Sequence, residues 1–306
     1  METEFIAWVR RQLDESANVL LGPGDDAAVL RASGDRETVV TTDLLTEGVD
    51  FLLAEVSPER VGRKALAVNL SDLAAMAAVP VAAFVAVALP RVGAGDLARQ
   101  LFAGMHSLAR RYDVAIAGGD TNTWTGELVI SITAIGQLTE HGPLRRDRAQ
   151  PSDAILVTGQ LGGSRLGKQF DFEPRVREAL RLHERYELHA GMDISDGLTL
   201  DLARLAAASR CGAVLQLDKI PIDPAAHRFA EICGPERSAL DHALSDGEDF
   251  ELLFTAAPEV ARQIMAENPL DIPITCIGHM TREPGLWSLQ SDGSLEPLEP
   301  AGYQHE

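Results

Sequence analysis

An uncharged run of 18 residues, at positions 73–90, sets the strongest limit on what this chain can fold into. A run of this length reaches the lower limit for a transmembrane helix. Eight of its residues are alanine, which contributes little transfer free energy, and Pro80 within it would break the backbone hydrogen bonds of a helix. We therefore predict the end of one helix followed by a buried strand, and no interaction with a membrane.

Charge and length narrow the class of protein. The chain has 306 residues, with 27 Lys and Arg against 46 Asp and Glu, so its formal net charge is −19. Because an acidic chain repels a phosphate backbone, we expect no nucleic-acid partner. The length fits two domains of ~150 residues each. The cysteines at 211, 233 and 276 form no CxxC pair, which argues against a disulfide framework or a zinc site and indicates a cytoplasmic protein.

Hydrophobic periodicity predicts helices and strands in both halves of the chain. We expect helices at 4–13, 58–78, 94–111, 174–188 and 197–208, and strands at 38–42, 83–89, 113–117, 127–137, 154–159, 213–217, 249–256 and 272–277. A polar, proline-containing stretch at 141–153 separates the halves, so we predict an N-terminal domain at 1–146 and a C-terminal domain at 147–306. Because helices and strands do not alternate regularly, the pattern favours an α+β fold over a doubly wound parallel sheet.

Several aspartates occupy turns, strand ends and glycine-flanked positions rather than solvated helix faces. They are Asp25, Asp26, Asp43, Asp72, Asp120, Asp193 and Asp196. Any one of them alone is more typical of a turn or a helix cap. Together they suggest a cluster, although each close pair of carboxylates repels by ~4 kcal/mol at an effective dielectric constant near 20. Such a cluster persists only with bound cations or with raised pKa values.

Oxygen ligands without neighbouring His or Cys select Mg²⁺ or Ca²⁺. Thr41, Thr42 and Ser195 add hydroxyl oxygens beside the aspartates, and the Ca²⁺ alternative lacks the spacing of an EF-hand loop. Glycine turns at 22–24 and 118–119 leave backbone N–H groups accessible to phosphate oxygens. We therefore predict a site for a nucleoside triphosphate bridged by Mg²⁺, since an acidic protein needs cations to hold a polyphosphate.

A second glycine-rich stretch imitates a phosphate-binding loop. Residues 162–168 spell G-x-x-x-x-G-K after a predicted strand, but the next residue is Gln169 rather than the Ser or Thr that binds Mg²⁺. We interpret this stretch as a strand-to-helix turn.

Six motifs follow one another along nearly the whole chain: GPGDDAAVL at 22–30, VTTDLLTEGVDF at 40–51, KALAVNLSDLAAMAA at 64–78, AGGDTN at 117–122, MDISDGL at 192–198 and SDGEDFELLFT at 245–255. In this combination the chain resembles the thiamine-monophosphate kinase family of the aminoimidazole ribonucleotide synthetase-like superfamily. The resemblance implies two mixed α/β domains, N-terminal domains that pair as a homodimer, and ATP in a cleft between the domains. It also implies ATP-dependent phosphorylation of thiamine monophosphate to thiamine diphosphate.

The resemblance assigns roles to the positions that match the family's motifs. Mg²⁺ would be bound by Asp26, Thr41, Thr42, Asp43, Asp72, Asp120, Asp193 and Asp196; ATP by Tyr112 (or its neighbour Arg111), Gly119, Arg146 and Ser195; and the thiamine substrate by Asp50, Glu248 and Tyr303. No protein nucleophile is implied, because a phosphate acceptor is already ionised at neutral pH. Positioning and several Mg²⁺ ions would supply the catalysis.

Two positions near the expected acceptor pocket depart from the family pattern. Asp50 stands where the family usually has histidine, and Pro300 stands where it often has tryptophan before a Gly-Tyr pair. Tyr303 either offers an aromatic surface to the thiazolium ring or packs the tail of the chain. Two other functions stay open: another ATP-using member of the superfamily, and a catalytically silent sensor of Mg-nucleotide.

Overall fold

The structure, a computed structural model, describes residues 16–22, 24–31, 37–234 and 236–304. The helix predicted at 4–13 lies outside these ranges. The strands are β1 (Val19–Leu21), β2 (Ala28–Leu30), β3 (Thr38–Thr46), β4 (Ala78–Pro90), β5 (Ala115–Trp124), β6 (Val129–Leu138), β7 (Ala154–Thr158), β8 (Leu188–Asp193), β9 (Gly212–Leu215), β10 (Leu252–Ala256), β11 (Ile274–Thr281), β12 (Gly285–Leu289) and β13 (Leu295–Pro297). The α-helices are α1 (Pro58–Ala75), α2 (Ala94–Arg111), α3 (Lys168–Asp171), α4 (Val176–Arg185), α5 (Leu198–Ala208), α6 (Pro224–Cys233), α7 (Ala239–Ser245) and α8 (Pro258–Glu267).

The N-terminal half forms a six-stranded sheet in the order β1-β2-β3-β6-β4-β5. Strands β4 and β5 run parallel, and the other neighbours are antiparallel. Alternate residues of β6, including Ile130, Ile132 and Ala134, are buried because strand side chains point to opposite faces in turn. Helices α1 and α2 cover this buried face.

The C-terminal half forms a seven-stranded sheet in the order β13-β12-β9-β11-β7-β10-β8. Strands β7 and β10 are buried along their whole length, which explains their nearly continuous apolar sequences. Strand β8 lies at one edge and ends at Asp193. The two mixed sheets with their helices confirm the predicted α+β class.

Helix α1 joins the two halves. It packs on α2 and the N-terminal sheet, and it also contacts α3, α4 and β8 from the C-terminal half, so most of its residues are buried. The chain passes from one sheet to the other between Leu138 and Ala154. The domain boundary predicted at 146/147 falls in this connection and remains a prediction.

The uncharged run folds as the sequence predicts, as a helix end followed by a strand. Helix α1 ends at Ala75, Ala77 takes a left-handed conformation with φ 51°, and β4 begins at Ala78. Among the helices of the described ranges, none is long and apolar enough to cross a membrane.

Strands β3 and β5 run further along the chain than the sequence predicts, and each contains a predicted ligand. Strand β3 continues to Thr46, so Asp43 lies inside it rather than at its end. Strand β5 continues to Trp124 and contains Asp120, which was expected to follow a glycine turn. A Cβ atom on Gly119 would lie 1.8 Å from the carbonyl oxygen of Val85. Glycine therefore keeps β5 paired with β4 at the point where the sequence signals a break.

Candidate functional site

Three carboxylates from distant parts of the chain meet between the two sheets. Asp26 lies in the turn before β2, Asp72 in the last turn of α1, and Asp193 at the end of β8. Each contributes one oxygen to a group whose members lie within 4.8 Å of one another. We call these residues the acidic triad. It brings together three of the eight residues that were expected to bind Mg²⁺.

Two hydroxyl groups orient the acidic triad. Thr41 Oγ1 donates a hydrogen bond to Asp72 Oδ2 at 2.5 Å. Ser71 Oγ donates to Asp193 Oδ2, also at 2.5 Å. Because Ser71 belongs to α1 and Asp193 to β8, this second bond ties the two halves of the protein together at the triad.

The alternation of strand β3 separates the two threonines. Thr41 is buried on the helix-covered face of the sheet, whereas Thr42 is exposed on the other face. Thr42 Oγ1 lies 3.1 Å from Thr133 Oγ1 and 3.2 Å from the carbonyl oxygen of Ile132. Thr42 therefore points away from Asp72, and its role as a metal ligand stays a prediction.

Arg146 binds the adjacent carboxylates of Asp25 and Asp26. Its Nε donates to Asp26 Oδ2 at 2.8 Å, its Nη2 donates to the other oxygen of the same carboxylate, and its backbone N donates to Asp25 Oδ2 at 3.2 Å. Burial opposes the charge of Arg146, but the two carboxylates outweigh it and raise the pKa of the guanidinium. Arg146, expected to bind ATP, thus lies beside the acidic triad.

Burial and mutual repulsion disfavour the ionised form of the carboxyl groups at the site. Burial first, and then Asp43, Asp193 and Asp26, raise the pKa of Asp72 well above its ordinary value. Burial and then the charge of Asp26 raise the pKa of Asp193 well above its ordinary value. The same two causes raise the pKa of Asp25 to about 7. Protonation or a bound cation relieves this repulsion.

The donor set fits Mg²⁺. Asp43 Oδ2 is buried without a hydrogen-bond partner among the described residues, and burial together with Asp50 raises the pKa of this carboxyl to about 6. Asn69 lies one turn before Asp72 on α1, and its Oδ1 is likewise buried without a described partner. Hard oxygen atoms that lack donors, beside three clustered carboxylates, match the preference of Mg²⁺.

Asp43 lies between the acidic triad and the residues that were expected to bind the acceptor. Asp50 influences the pKa of both Asp43 and Glu248. Its carboxylate accepts from the backbone N of Thr46 at 2.7 Å, so Asp50 also shapes its own turn. Glu248 forms an ion pair with the buried amine of Lys64. The predicted acceptor residues Asp50 and Glu248 are thus neighbours at one end of the site.

The loop after β8 carries two further predicted residues, Ser195 and Asp196. Asp201 accepts hydrogen bonds from the backbone N atoms of Ser195, Asp196 and Gly197 at 3.1, 2.9 and 3.1 Å, which fixes the loop. The carboxylate of Asp196 pairs with Arg204, and its carbonyl oxygen accepts from the backbone N of Tyr303 at 2.9 Å. This last bond brings the C-terminal tail against the loop, in agreement with either interpretation of Tyr303.

Three of the predicted residues lie away from the acidic triad. Gly119 and Asp120 are exposed on β5, beside a groove of about 560 Å³ between this strand and α2. Tyr112, at the end of α2, donates its hydroxyl to the carbonyl oxygen of Pro174 at 2.9 Å and contacts Glu173. Their roles in metal and ATP binding remain predictions.

In the stretch that imitates a phosphate-binding loop, the backbone N–H groups bind a carboxylate of the protein. The backbone N of Gly162 donates to both oxygens of Asp249 at 2.9 Å, and that of Gly163 donates to one of them at 3.3 Å. Lys168 Nζ donates to the carbonyl oxygen of Gln160 at 2.5 Å. Because a buried carboxylate occupies the position of a phosphate, the loop acts as the strand-to-helix turn that the sequence indicates.

Sequence reasoning missed three polar residues of the site. They are Lys64, Ser71 and Asp201. Lys64 was detectable as a charged residue on the apolar face of α1, and Asp201 as an acid in the first turn of α5. Ser71 offered no signal, because its partner Asp193 is far away in sequence.

The chain matches known proteins along both halves. Residues 24–138 match the family model described as AIR synthase related protein, N-terminal domain, and residues 135–287 match the corresponding C-terminal domain. The chain is 44% identical over 312 aligned positions to a thiamine-monophosphate kinase of Rhodopirellula baltica, with 100% of this chain and 97% of that protein covered. It is 36% identical to a thiamine-monophosphate kinase of Escherichia coli K12, with 94% of this chain and 92% of that protein covered.

A solved structure supports the same likeness in three dimensions. It is described as AaThiL complexed with AMPPCP and TMP. Its TM-score to this chain is 0.86 at 27% sequence identity, with 100% of this chain and 97% of that chain covered.

Proposed function

The chain belongs to the AIR synthase related protein family, and we propose that it transfers the γ-phosphate of ATP to thiamine monophosphate, forming ADP and thiamine diphosphate. The observation that carries this proposal is the acidic triad, because three carboxylates within 4.8 Å suit a divalent cation and phosphoryl transfer from ATP requires one. The likeness along the full chain to two thiamine-monophosphate kinases supports the choice of acceptor.

Asp26, Asp72 and Asp193 would hold Mg²⁺, with Thr41 and Asp43 beside them and Asp196 on the neighbouring loop. Bound there, Mg²⁺ would neutralise the charge that develops on the transferred phosphate. Arg146 would serve two partners. It compensates Asp25 and Asp26, and its guanidinium is a suitable group to meet a phosphate of ATP.

The reaction needs positioning rather than a protein nucleophile. An oxygen of the ionised phosphate of thiamine monophosphate forms a bond to the γ-phosphorus, while the bond from that phosphorus to the β-γ bridging oxygen breaks and ADP leaves. Ser195 would contact ATP from the loop that Asp201 fixes. Asp50, Glu248 and Tyr303 would surround the cationic thiamine moiety, which favours nearby carboxylates and an aromatic ring.

The protein would act as a homodimer through the exposed face of its N-terminal sheet. Val79, Val81 and Phe84 of β4 and Leu44 of β3 are exposed large apolar side chains, with between 39% and 61% of their surfaces accessible. A sheet face of this kind is expected to pack on a partner. A second copy would also bring in the exposed residues Gly119 and Asp120, which lie outside the triad of their own chain. The predicted cytoplasmic location remains part of this proposal.

An assay of ADP formation tests the proposed function. Purified protein with ATP and Mg²⁺ should form ADP only when thiamine monophosphate is present, and thiamine, which lacks the phosphate, should not replace it. Asp72→Asn should lower kcat/KM by about a hundredfold or more, because it removes a charged ligand of the metal. Equal rates for the wild type and this variant would overturn the proposal.

Calorimetry and the ADP assay separate the proposed kinase from a silent Mg-nucleotide sensor and from another ATP-using member of the superfamily. A catalytically silent sensor would bind Mg-ATP tightly and form no ADP with thiamine monophosphate. Another ATP-using member of the superfamily would form ADP with a different acceptor. Either result would replace the assignment of the substrate while keeping the metal site.

A further inference from the structure

Lys64 is a fully buried amine at the acceptor end of the site. It lies in α1 with 1% of its surface exposed. Its Nζ donates to the carbonyl oxygen of Asp50 at 3.0 Å, to Gln169 Oε1 at 2.7 Å and to Glu248 Oε1. An ammonium group has three donors, so all of them are used.

We propose that Lys64 is a positioning residue that holds the carboxylate of Glu248 in the acceptor subsite and thereby sets the affinity for the thiamine moiety. This inference rests on the proposed function, since it concerns the same site. A buried charge is costly without compensation, and the three partners of Lys64 come from three separate segments of the chain. One of those partners, Glu248, keeps about a third of its side chain exposed, with 34% accessible.

The backbone at Glu248 shows that its position is constrained. Glu248 has φ 54°, a left-handed conformation that non-glycine residues rarely adopt. Its backbone N donates to the carbonyl oxygen of Ser195 at 2.7 Å. Glu248 is therefore fixed at its backbone by the loop expected to bind ATP, and at its carboxylate by Lys64. This arrangement links the two substrate sites through one residue.

The charges around Glu248 explain why the amine is needed. Burial raises the pKa of the Glu248 carboxyl, whereas Lys64 opposes this rise. The other charged groups that face Glu248 are Asp50, which also favours the protonated form, and Arg165, which favours the ionised form. Without Lys64, Glu248 would take up a proton more readily and lose its attraction for a cationic ring.

Lys64 also ties α1 to α3, so a purely structural role must be separated from positioning. Arg63, the preceding residue, provides a matched control. Its guanidinium donates to the carbonyl oxygens of Phe170 at 3.0 Å and Phe172 at 2.5 Å, and to Glu173 at 2.9 Å. It anchors the same segment to α1 without contacting Glu248.

The experiment compares Lys64→Met with Arg63→Met by steady-state kinetics on the full chain. We expect Lys64→Met to raise KM for thiamine monophosphate by about tenfold or more, since a charge-assisted hydrogen bond to a substrate-binding carboxylate is lost. KM for ATP should stay within about twofold, because the triad is not touched. When the pH is lowered, KM for thiamine monophosphate should begin to rise at a higher pH in Lys64→Met than in the wild type. Arg63→Met should leave both the KM values and this pH profile close to wild type.

Two further variants complete the test. Lys64→Arg keeps the charge and should recover part of the lost affinity. In a Glu248→Gln background, adding Lys64→Met should have little further effect on KM, because both changes act through one carboxylate. If Lys64→Met lowers only the melting temperature, if Arg63→Met has the same kinetic effect, or if the effects of Lys64→Met and Glu248→Gln multiply, the positioning role is wrong. A wild type that shows no activity dependent on thiamine monophosphate would instead overturn the proposed function.

Discussion

Asp43 and Asp120 lie three strands apart in the N-terminal sheet. Asp43 on β3 pairs with Ile132 on β6, Ile132 pairs with Val85 on β4, and Val85 pairs with Gly119 on β5, the residue before Asp120. At ~4.8 Å per strand, β3 and β5 are separated by ~14 Å. Two carboxylates at this separation cannot bind one ion, and we propose that Asp120 serves the active site of a second copy of the chain.

Mixed dimers test whether one active site combines residues of two copies. Asp72→Asn and Asp120→Asn should each be nearly inactive alone. After co-expression of the two variants, we expect the purified mixed dimer to have roughly half of the wild-type activity, because it carries one intact site out of two. The measurement is the rate of ADP formation by the purified mixed dimer, isolated with two different affinity tags.

The control for this experiment pairs variants from the same region. A mixture of Asp72→Asn with Asp193→Asn should stay inactive, since both residues belong to one triad. No activity in the mixture with Asp120→Asn would show that each site is built from a single chain, whereas restored activity in the control would mean that Asp72 and Asp193 of one site come from different copies. A monomer in solution would exclude the shared site altogether.

Arg146 should be essential for activity and for stability without metal. Replacing it by methionine leaves Asp26 without its guanidinium partner, which in buried ion pairs costs about 3–5 kcal/mol. We expect Arg146→Met to lower the melting temperature of the metal-free protein and to lower kcat/KM for ATP by about a hundredfold. Mg²⁺ should recover part of the melting temperature but little of the activity.

Thermal unfolding with and without Mg²⁺, together with steady-state kinetics, measures both effects of this substitution. Arg145→Met is the matched control, because Arg145 pairs with Asp147 at 2.6 Å rather than with the triad. An Arg146→Met variant that keeps its affinity for ATP and its turnover would remove Arg146 from the active site. Its remaining role would then be to compensate Asp25 and Asp26.

Much of the fold follows from local sequence patterns. The uncharged run predicts a helix and a buried strand because Pro80 would break the backbone hydrogen bonds of a single helix, and the structure has α1 and β4 there. The short strands β1, β12 and β13 had no comparable signal. Each of these strands has only three to five residues, which is too few for hydrophobic periodicity to identify a strand.

The sequence predicted only part of the site, because some of its contacts form only in the folded protein. Asp26, Asp72 and Asp193 were chosen by their motifs, and the fold brings them together. The strand predicted at 38–42 already contained Thr41 and Thr42, and its alternation separates them, but the family resemblance assigned both to the metal. The sequence could not reveal Ser71 as a partner of Asp193, since that contact forms only in the folded protein.

The loop at 162–168 should be dispensable for binding ATP. Lys168 Nζ lies 3.3 Å from Asp223 and 3.7 Å from Glu251, and both are protein carboxylates. We expect Lys168→Met to change KM for ATP by less than about twofold, whereas the lysine of a true phosphate-binding loop would change it far more. A modest loss of melting temperature is expected, since Glu251 then keeps Arg175 as its cationic partner. A large rise in KM for ATP would restore the phosphate-binding interpretation.

The stability of the metal-free protein should depend on pH through Asp43. The pKa of this carboxyl is raised from 3.8 to about 6 in the folded state by burial and by Asp50. A carboxyl with a raised pKa favours folding while it is protonated, and this contribution is lost as the pH rises through the folded-state pKa. The free energy of unfolding of Asp43→Asn relative to the wild type should therefore increase between about pH 4 and pH 6 and stay constant above, by up to ~3 kcal/mol.

Chemical denaturation in EDTA at a series of pH values measures this difference, and Asp218→Asn, at an exposed position, serves as the control. Adding Mg²⁺ at pH 7.5 should raise the melting temperature of the wild type by about 5 °C or more, since binding to the folded state alone stabilises it. Asp72→Asn should lose most of this shift because it removes one member of the triad. A wild type whose melting temperature does not respond to Mg²⁺ would mean that the buried carboxylates are kept neutral by protons, and that the triad is not a metal site.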